Sequence, residues 1–184
     1  MRLVEKHIII KSDKKWKSLD DICFLSKNLY NSALYYIRKN KEETGKFTRY
    51  NDLWKIFKNT NQKDFRALPS GTAQQILMLV DKSLLSYFKL LSKWKKNKKS
   101  LNGYPQFPHY KDKIKGRFIT PFTYSQFQIK NGELKFPKRT NINILKTNVK
   151  ILKQVRIIPQ SSCYVIEIVY EKQEKEKIIN DNYL

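Results

Sequence analysis

Ten Lys and Arg residues crowd the stretch from Lys89 to Arg117, against a single acid, Asp112. Lys93, Lys95, Lys96, Lys98, Lys99, Lys111, Lys113, Lys115 and Arg117 are spaced closely enough to track a phosphate backbone. Each cation near a phosphate displaces a condensed counterion. In the middle of the run stands Gly103-Tyr104-Pro105-Gln106-Phe107-Pro108. Proline fixes φ and stiffens a loop, which a solvated tail does not need. Phe107 is expected to anchor the loop to the folded body. Tyr104 and Tyr110 could either anchor it or stack on bases. A lysine run alone is as readily a solvated helix end, so the insert is what favours a binding surface.

The whole chain shares this bias. Its 184 residues carry a formal charge of +22, and self-repulsion on that scale calls for a polyanionic partner. Apolar residues at 40% and aromatics at 13% exclude disorder throughout. No run approaches the roughly 18 apolar residues of a spanning helix, and no signal peptide opens the chain. Nucleic acid, no membrane and a cytoplasmic, nucleoid-associated location are expected.

Catalytic chemistry is poorly represented. A two-metal nuclease needs convergent carboxylates, but the acids here are sparse and mostly beside lysines. His7 and His109 read as packed or surface residues. Gly71 and Gly103 are isolated, so no phosphate-cradling loop is formed. Cys23 and Cys163 lie 140 positions apart without a C-x-x-C pair. They read as two reduced thiols rather than a zinc site or a disulfide. No cofactor and no metal are expected.

These residues need elements to hold them. "LVEKHIII" reads as a strand, buried on both faces towards its end. Trp16, Leu19, Ile22, Cys23, Leu29, Tyr30, Ala33, Leu34 and Ile37 then recur at helical steps, with Gly45 beyond. A second helix is predicted over 50–58. A third follows Pro69 and Ser70, with Ala73, Leu77, Val80, Leu84, Phe88, Leu91 and Trp94 on one stripe. Strands follow near 118–130 and 133–136, joined by Asn131-Gly132, a two-residue hairpin signal. Val155 and Ile157, then Tyr164, Ile166, Ile168 and Tyr170, alternate on either side of "PQSS". The first strand most naturally pairs with these late ones, which makes the helices an insertion into one β-domain.

At this point five blocks fall in a familiar order: "NLYNSALYY" (28–36), "LPSGTAQQILMLVDKSLLSYF" (68–88), "GYPQFPHYK" (103–111), "FTYSQFQIKNGELKFPK" (122–138) and "VRIIPQSSCYVIEIVYE" (155–171). Together they resemble the N-terminal half of the OrfB/TnpB insertion-sequence proteins, relatives of type V CRISPR effectors. The resemblance implies an α+β fold in which a β-barrel-like wedge domain is interrupted by a helical recognition insertion. It divides the chain into a first wedge strand (1–14), a recognition domain (15–108), the remaining wedge strands (109–175) and a tail (176–184). It implies guide RNA and double-stranded DNA as partners, with the protein reading only a short motif beside a target that base pairing reads.

Carried over position by position, the family's motif-reading residues fall on Tyr50, Gln74, Thr123 and Tyr124. A Gln amide can pair bidentately with adenine in the major groove. Two departures stand out: Ser70 where some relatives have Lys, and Tyr124 where a relative has Asn. The family's nuclease carboxylates and zinc-ribbon cysteines are not found before Leu184, so the chain is expected to bind without cutting. A transposon remnant, a gene fragment and a truncated form all fit that pattern. So does a split nuclease completed in trans by a separate segment. A stand-alone basic RNA- or DNA-binding regulator, or a ribosome-associated protein, is the alternative from composition alone.

Overall fold

Residues 1–171 are described by a computed structural model. The predicted tail, 176–184, lies outside them, as do 172–175 of the second wedge segment.

The β-branched run that opens the chain forms β1 (Arg2–Ile10), and the chain then leaves for four helices. In α1 (Trp16–Thr44), Leu19, Ile22, Cys23, Leu29, Ala33, Leu34 and Ile37 are buried along one face. Gly45 ends the helix at φ 74°, its N–H bonding Lys41 O, where a side chain would be strained. α2 (Tyr50–Asn59) takes its N-terminal partner from another helix. Asp81 accepts from the Tyr50 N–H at 3.3 Å and from Arg49 Nε and Nη2 at 2.6 and 3.0 Å. A one-turn helix absent from the sequence reading, α3 (Lys63–Ala67), is capped by Gln62, which accepts from the Phe65 N–H. α4 (Ser70–Lys96) buries Ala73, Ile76, Leu77, Val80 and Leu84 against α1.

After the helices the chain returns to β structure. β2 (Thr120–Thr123), β6 (Leu152–Pro159) and β7 (Cys163–Glu171) join β1 in an antiparallel sheet of order β1-β7-β6-β2. The expected pairing of the first strand with a late one holds over its full length, from Arg2↔Glu171 to Ile10↔Cys163. β3 (Gln128–Lys130), β4 (Glu133–Lys135) and the two-residue β5 (Leu145–Lys146) make a second, smaller sheet. Asn131 and Gly132, at φ 53° and 73°, form the predicted hairpin turn between β3 and β4. Phe122, Phe127 and Phe136 pack edge to face between the two sheets, with ring centroids 5.3–6.0 Å apart.

Three expectations are corrected. β1 is not buried on both faces towards its end: Ile9 is buried, but Ile8 and Ile10 are 69% and 56% exposed. The strand over 118–130 is broken by a 3₁₀ turn, Tyr124–Gln126. There Gln126 Oε1 accepts from the Thr123 N–H at 2.9 Å, and this local capping pattern wins over strand continuation. Among the described residues the sheets also do not close into a barrel: β1 and β2 stand at the two edges of the larger one. Where closure would bring a strand to β1, Glu5 reaches across with its side chain instead. It accepts from Thr147 Oγ1 at 2.7 Å and from the Asn148 N–H at 3.3 Å. These bonds, with another from His7, hold the Glu5 carboxyl below its ordinary value despite its burial. The result is mixed α+β with antiparallel sheets, the helices entering between β1 and β2.

Helices and sheet are joined at Asp20. Its carboxylate accepts from Tyr164 Oη of β7 at 2.6 Å and from Arg117 Nε and Nη2 at 2.7 and 2.8 Å. Trp16 packs edge to face on the same Tyr164, with centroids 4.8 Å apart. The Arg117 guanidinium, then the Tyr164 hydroxyl, hold the Asp20 carboxyl below its ordinary 3.8. Asp20→Asn should cost about 2 kcal/mol at neutral pH, the scale of a hydrogen bond to a charged group. Because the folded value is depressed, this stability is complete above about pH 4 and is lost as pH falls through the folded value. Urea midpoints should therefore drop more steeply below about pH 4 in the wild type than in Asp20→Asn. Parallel pH profiles for the two proteins would show that Asp20 is not the joint.

Candidate nucleic-acid interface

Segment 104–118 is not a loose loop. It lies as an extended strap along α1, running antiparallel to it. Arg38 Nη2 donates to Pro108 O at 3.0 Å. Asn31 pairs with both backbone groups of Lys111 at 2.9 Å. Lys27 Nζ donates to Lys113 O at 2.6 Å, the Phe118 N–H donates to Cys23 O at 3.1 Å, and Arg117 closes on Asp20. Asp20, Lys27, Asn31 and Arg38 share one face of α1, being 7, 11 and 18 residues from the first, close to whole turns of 3.6.

The aromatic insert anchors the top of this strap, as expected for Phe107. Its ring stacks on Phe47 at 6.0 Å and meets Tyr87 edge to face at 5.4 Å. Tyr104, which the sequence left open, packs edge to face on Trp94 at 4.9 Å. These contacts cover the end of the α4 stripe, where Phe88, Leu91 and Trp94 are only partly buried. Arg38 sits between Phe107 and Tyr110, 4.8 and 4.7 Å from their centroids.

The strap turns its Pro108, Lys111 and Lys113 carbonyls to α1, while the Lys111 amine lies over the Tyr30 and Phe118 rings, 5.7 and 5.9 Å from their centroids. Lys111, Lys113 and Lys115 are exposed, and so are Lys93, Lys95, Lys96, Lys98 and Lys99 at the end of α4 and the short turn after it. None of these eight meets a carboxylate within salt-bridge distance among the described residues. Arg117 is different: both its charge and its donors are engaged by Asp20, and its guanidinium lies 4.9 Å from the Phe24 centroid. Asp112, the one acid of the run, accepts from the Lys115 and Ile114 N–H groups. Those bonds hold its carboxyl below its ordinary value.

Gln74, Thr123 and Tyr124 gather near the start of α4. Gln126 ties the turn after Thr123 to α4: its Nε2 donates to Thr72 Oγ1 at 3.2 Å while its Oε1 accepts from the Thr123 hydroxyl and N–H. A side chain at Gly71 would meet the Gln126 carboxamide at 2.9 Å, so glycine leaves room for that amide to reach α4. Gln74 lies one turn beyond Gly71 on the same face. It is half-buried, and its amide carries no hydrogen bond among the described residues. Tyr124 is 69% exposed, whereas the Thr123 hydroxyl is already engaged with Gln126 and Ser125. Tyr50 stands apart at the start of α2, beside Asp81, two turns or about 10 Å further along α4. Its ring packs partly on the core, and burial raises its phenol above the ordinary value.

Asp20, Lys27 and Asn31 escaped the sequence reading. Their spacing was visible, but a polar stripe on a helix looks the same whether it faces water or a strap. Lys27 is only 2% exposed, its amine 3.8 Å from the Phe24 centroid. Burial, with the Arg117 charge beside it, pushes that amine below its ordinary value. No protein-family model and no curated protein matches the chain.

Asn31→Ala removes two backbone partners from the strap. It should cost about 1–2 kcal/mol in urea unfolding and speed limited tryptic cleavage after Lys111. Cleavage at the wild-type rate would mean that the strap is held by its aromatic anchors alone.

Proposed function

We propose that the chain is the nucleic-acid-binding half of a TnpB-like protein. It holds a guide RNA along the lysine path and a short duplex DNA motif at the start of α4. The observation that carries this reading is the topology. β1 and β7 form one continuous ladder although the whole helical unit separates them in sequence. That layout supports reading the chain as a wedge domain interrupted by a recognition insertion, with open sheets in place of a barrel. A nucleoid-associated, cytoplasmic site of action belongs to the same proposal.

The unpaired lysines supply the second support. From Thr72, beside the sheet, to Trp94 at the other end is 22 residues of helix, or about 33 Å. The strap descends from the far end back towards the sheet. Its lysines and those ending α4 thus offer a basic path about as long as several nucleotides, leading towards Gln74 and Tyr124. Binding without cutting fits the positions of the acids. Asp20, Asp81, Glu5 and Glu167 each hold a joint of the fold rather than facing one another.

Binding to a structured RNA should be strongly salt-dependent. Six to ten neutralised phosphates correspond to a loss of roughly 10³–10⁵ in affinity between 50 and 200 mM salt. Replacing Lys95, Lys96, Lys98 and Lys99 by Ala should flatten that slope by about 3 and leave the thermal melt unchanged, since all four are exposed. Flat affinity across the titration would sink the electrostatic reading. For the motif reader, a duplex selection with RNA-bound Gln74→Ala should lose discrimination of about 1–3 kcal/mol at one base pair. A uniform loss at every position would instead make Gln74 a backbone contact.

A further inference from the structure

A cavity of about 410 Å³ lies between α1, the α2–α3 corner and the strap, within the roughly 300–1,000 Å³ range of small-molecule sites. Its lining includes Ser32, Tyr35, Tyr36, Phe57, Gln62 and Tyr110. We infer that it binds one unstacked, amino-bearing nucleobase of a single strand. This rests on the nucleic-acid reading above and adds to it a base-selective site away from Gln74 and from the α4 lysines.

The walls have the right chemistry in the right states of order. Tyr36 and Phe57 meet edge to face at 5.8 Å and 87°, and Phe65 braces Phe57 at 6.5 Å, so the inner wall is fixed before any ligand arrives. Tyr35 and Tyr110 are 62% and 42% exposed, rings presented to solvent at the rim. Exposed tyrosines beside a basic strap are the arrangement on which bases of a single strand stack. The Arg38 guanidinium over Tyr110 holds that ring in place.

The polar end of the cavity selects among bases. The Ser32 hydroxyl and Gln62 Nε2 both donate to Asp64 Oδ2. With its proton directed to Asp64, the Ser32 oxygen has only lone pairs left to offer. Backed by a carboxylate, the Ser32 oxygen accepts hydrogen bonds. It suits the exocyclic amino group of adenine, cytosine or guanine and has no proton to give the O4 carbonyl of uracil or thymine. The phosphate has a partner too. Asn31, also on the wall, fixes the backbone of Lys111, which follows the lining Tyr110 in the chain and whose exposed amine lies 5.7 and 5.9 Å from the Tyr30 and Phe118 centroids. A base inside and its phosphate on Lys111 would occupy the site together.

Fluorescence anisotropy with labelled oligoriboadenylate, oligoribocytidylate and oligoribouridylate of about eight nucleotides, a typical single-strand site size, tests the inference. The wild type should bind the adenylate and cytidylate more tightly than the uridylate. Tyr35→Ala should weaken the first two roughly tenfold, the loss of one stacked base, with little change for the uridylate and an unchanged salt slope. Tyr35→Phe should behave as the wild type, because the ring remains. An oligodeoxyadenylate arm separates RNA from DNA as the source of the strand. Salt-dependent binding that is equal for all three oligomers and indifferent to Tyr35→Ala would overturn the pocket while leaving the electrostatic reading in place. Absence of binding to any oligomer at low salt would overturn both.

Discussion

The fold turns on one carboxylate. Asp20 receives Tyr164 from the sheet and Arg117 from the strap while standing on α1 itself, so three separate segments meet at a single anion. In a chain of net charge +22 such an anion does two things at once. It supplies charge-assisted hydrogen bonds, stronger than neutral ones, and it removes one cation from a self-repelling surface. The neighbouring Cys23 is fully buried, and that burial pushes its thiol up to about 12. Substitution elsewhere on the lysine path changes a surface. Substitution at Asp20 leaves Arg117 half-buried beside Lys27 with no carboxylate to face.

The strap explains why aromatics and prolines stand inside the most basic segment. Ordering an extended chain costs about 1–2 kcal/mol per residue, while each backbone hydrogen bond to α1 returns only about 1 kcal/mol net. Hydrogen bonds alone do not hold it. Phe107 between Phe47 and Tyr87, Tyr104 on Trp94 and Phe118 stacked on Tyr30 at 4.4 Å supply buried apolar area at both ends. Pro105 and Pro108 reduce the freedom of the unfolded chain and so the entropy to be lost. Fixed this way, the strap commits carbonyls to the helix and leaves its lysines exposed. The one acid among them, Asp112, is taken up by backbone N–H groups.

Much of this was legible in the residues, because the long elements are set by local periodicity. The stripes of α1 and α4, the Gly45 stop and the Asn131-Gly132 hairpin each follow from rules acting within a few residues. The pairing of β1 with β7 was also legible, since a lone strand must find a partner somewhere. What escaped depends on contacts distant in sequence. α3 is one turn whose cap, Gln62, gains its meaning from Asp64 and Ser32. The break after Thr123 follows from a Gln126 amide shared between its own turn and Thr72 of α4. The open edge of β1 reflects Glu5 reaching Thr147, 142 residues away. In the candidate site the lysines could be named from spacing, but their freedom, and the engagement of Arg117, could not.

Arg117 shows why charge counts alone mislead about such surfaces. Nine basic residues in one run look equivalent on paper, yet the fold sorts them by side-chain shape. Guanidinium is planar and donates from several fixed directions, so Arg117 can satisfy Asp20 with two nitrogens and the Ile114 and Gly116 carbonyls with a third. Ammonium is strongly hydrated and carried on a flexible stem, suited to a surface where the partner is a mobile phosphate. The described residues follow this division closely at the joints: Arg38, Arg49, Arg117 and Arg156 all bind groups of the protein itself. Lys27 breaks the pattern. It is buried over Phe24 and donates to the Lys113 carbonyl, with no carboxylate as its hydrogen-bond partner among the described residues.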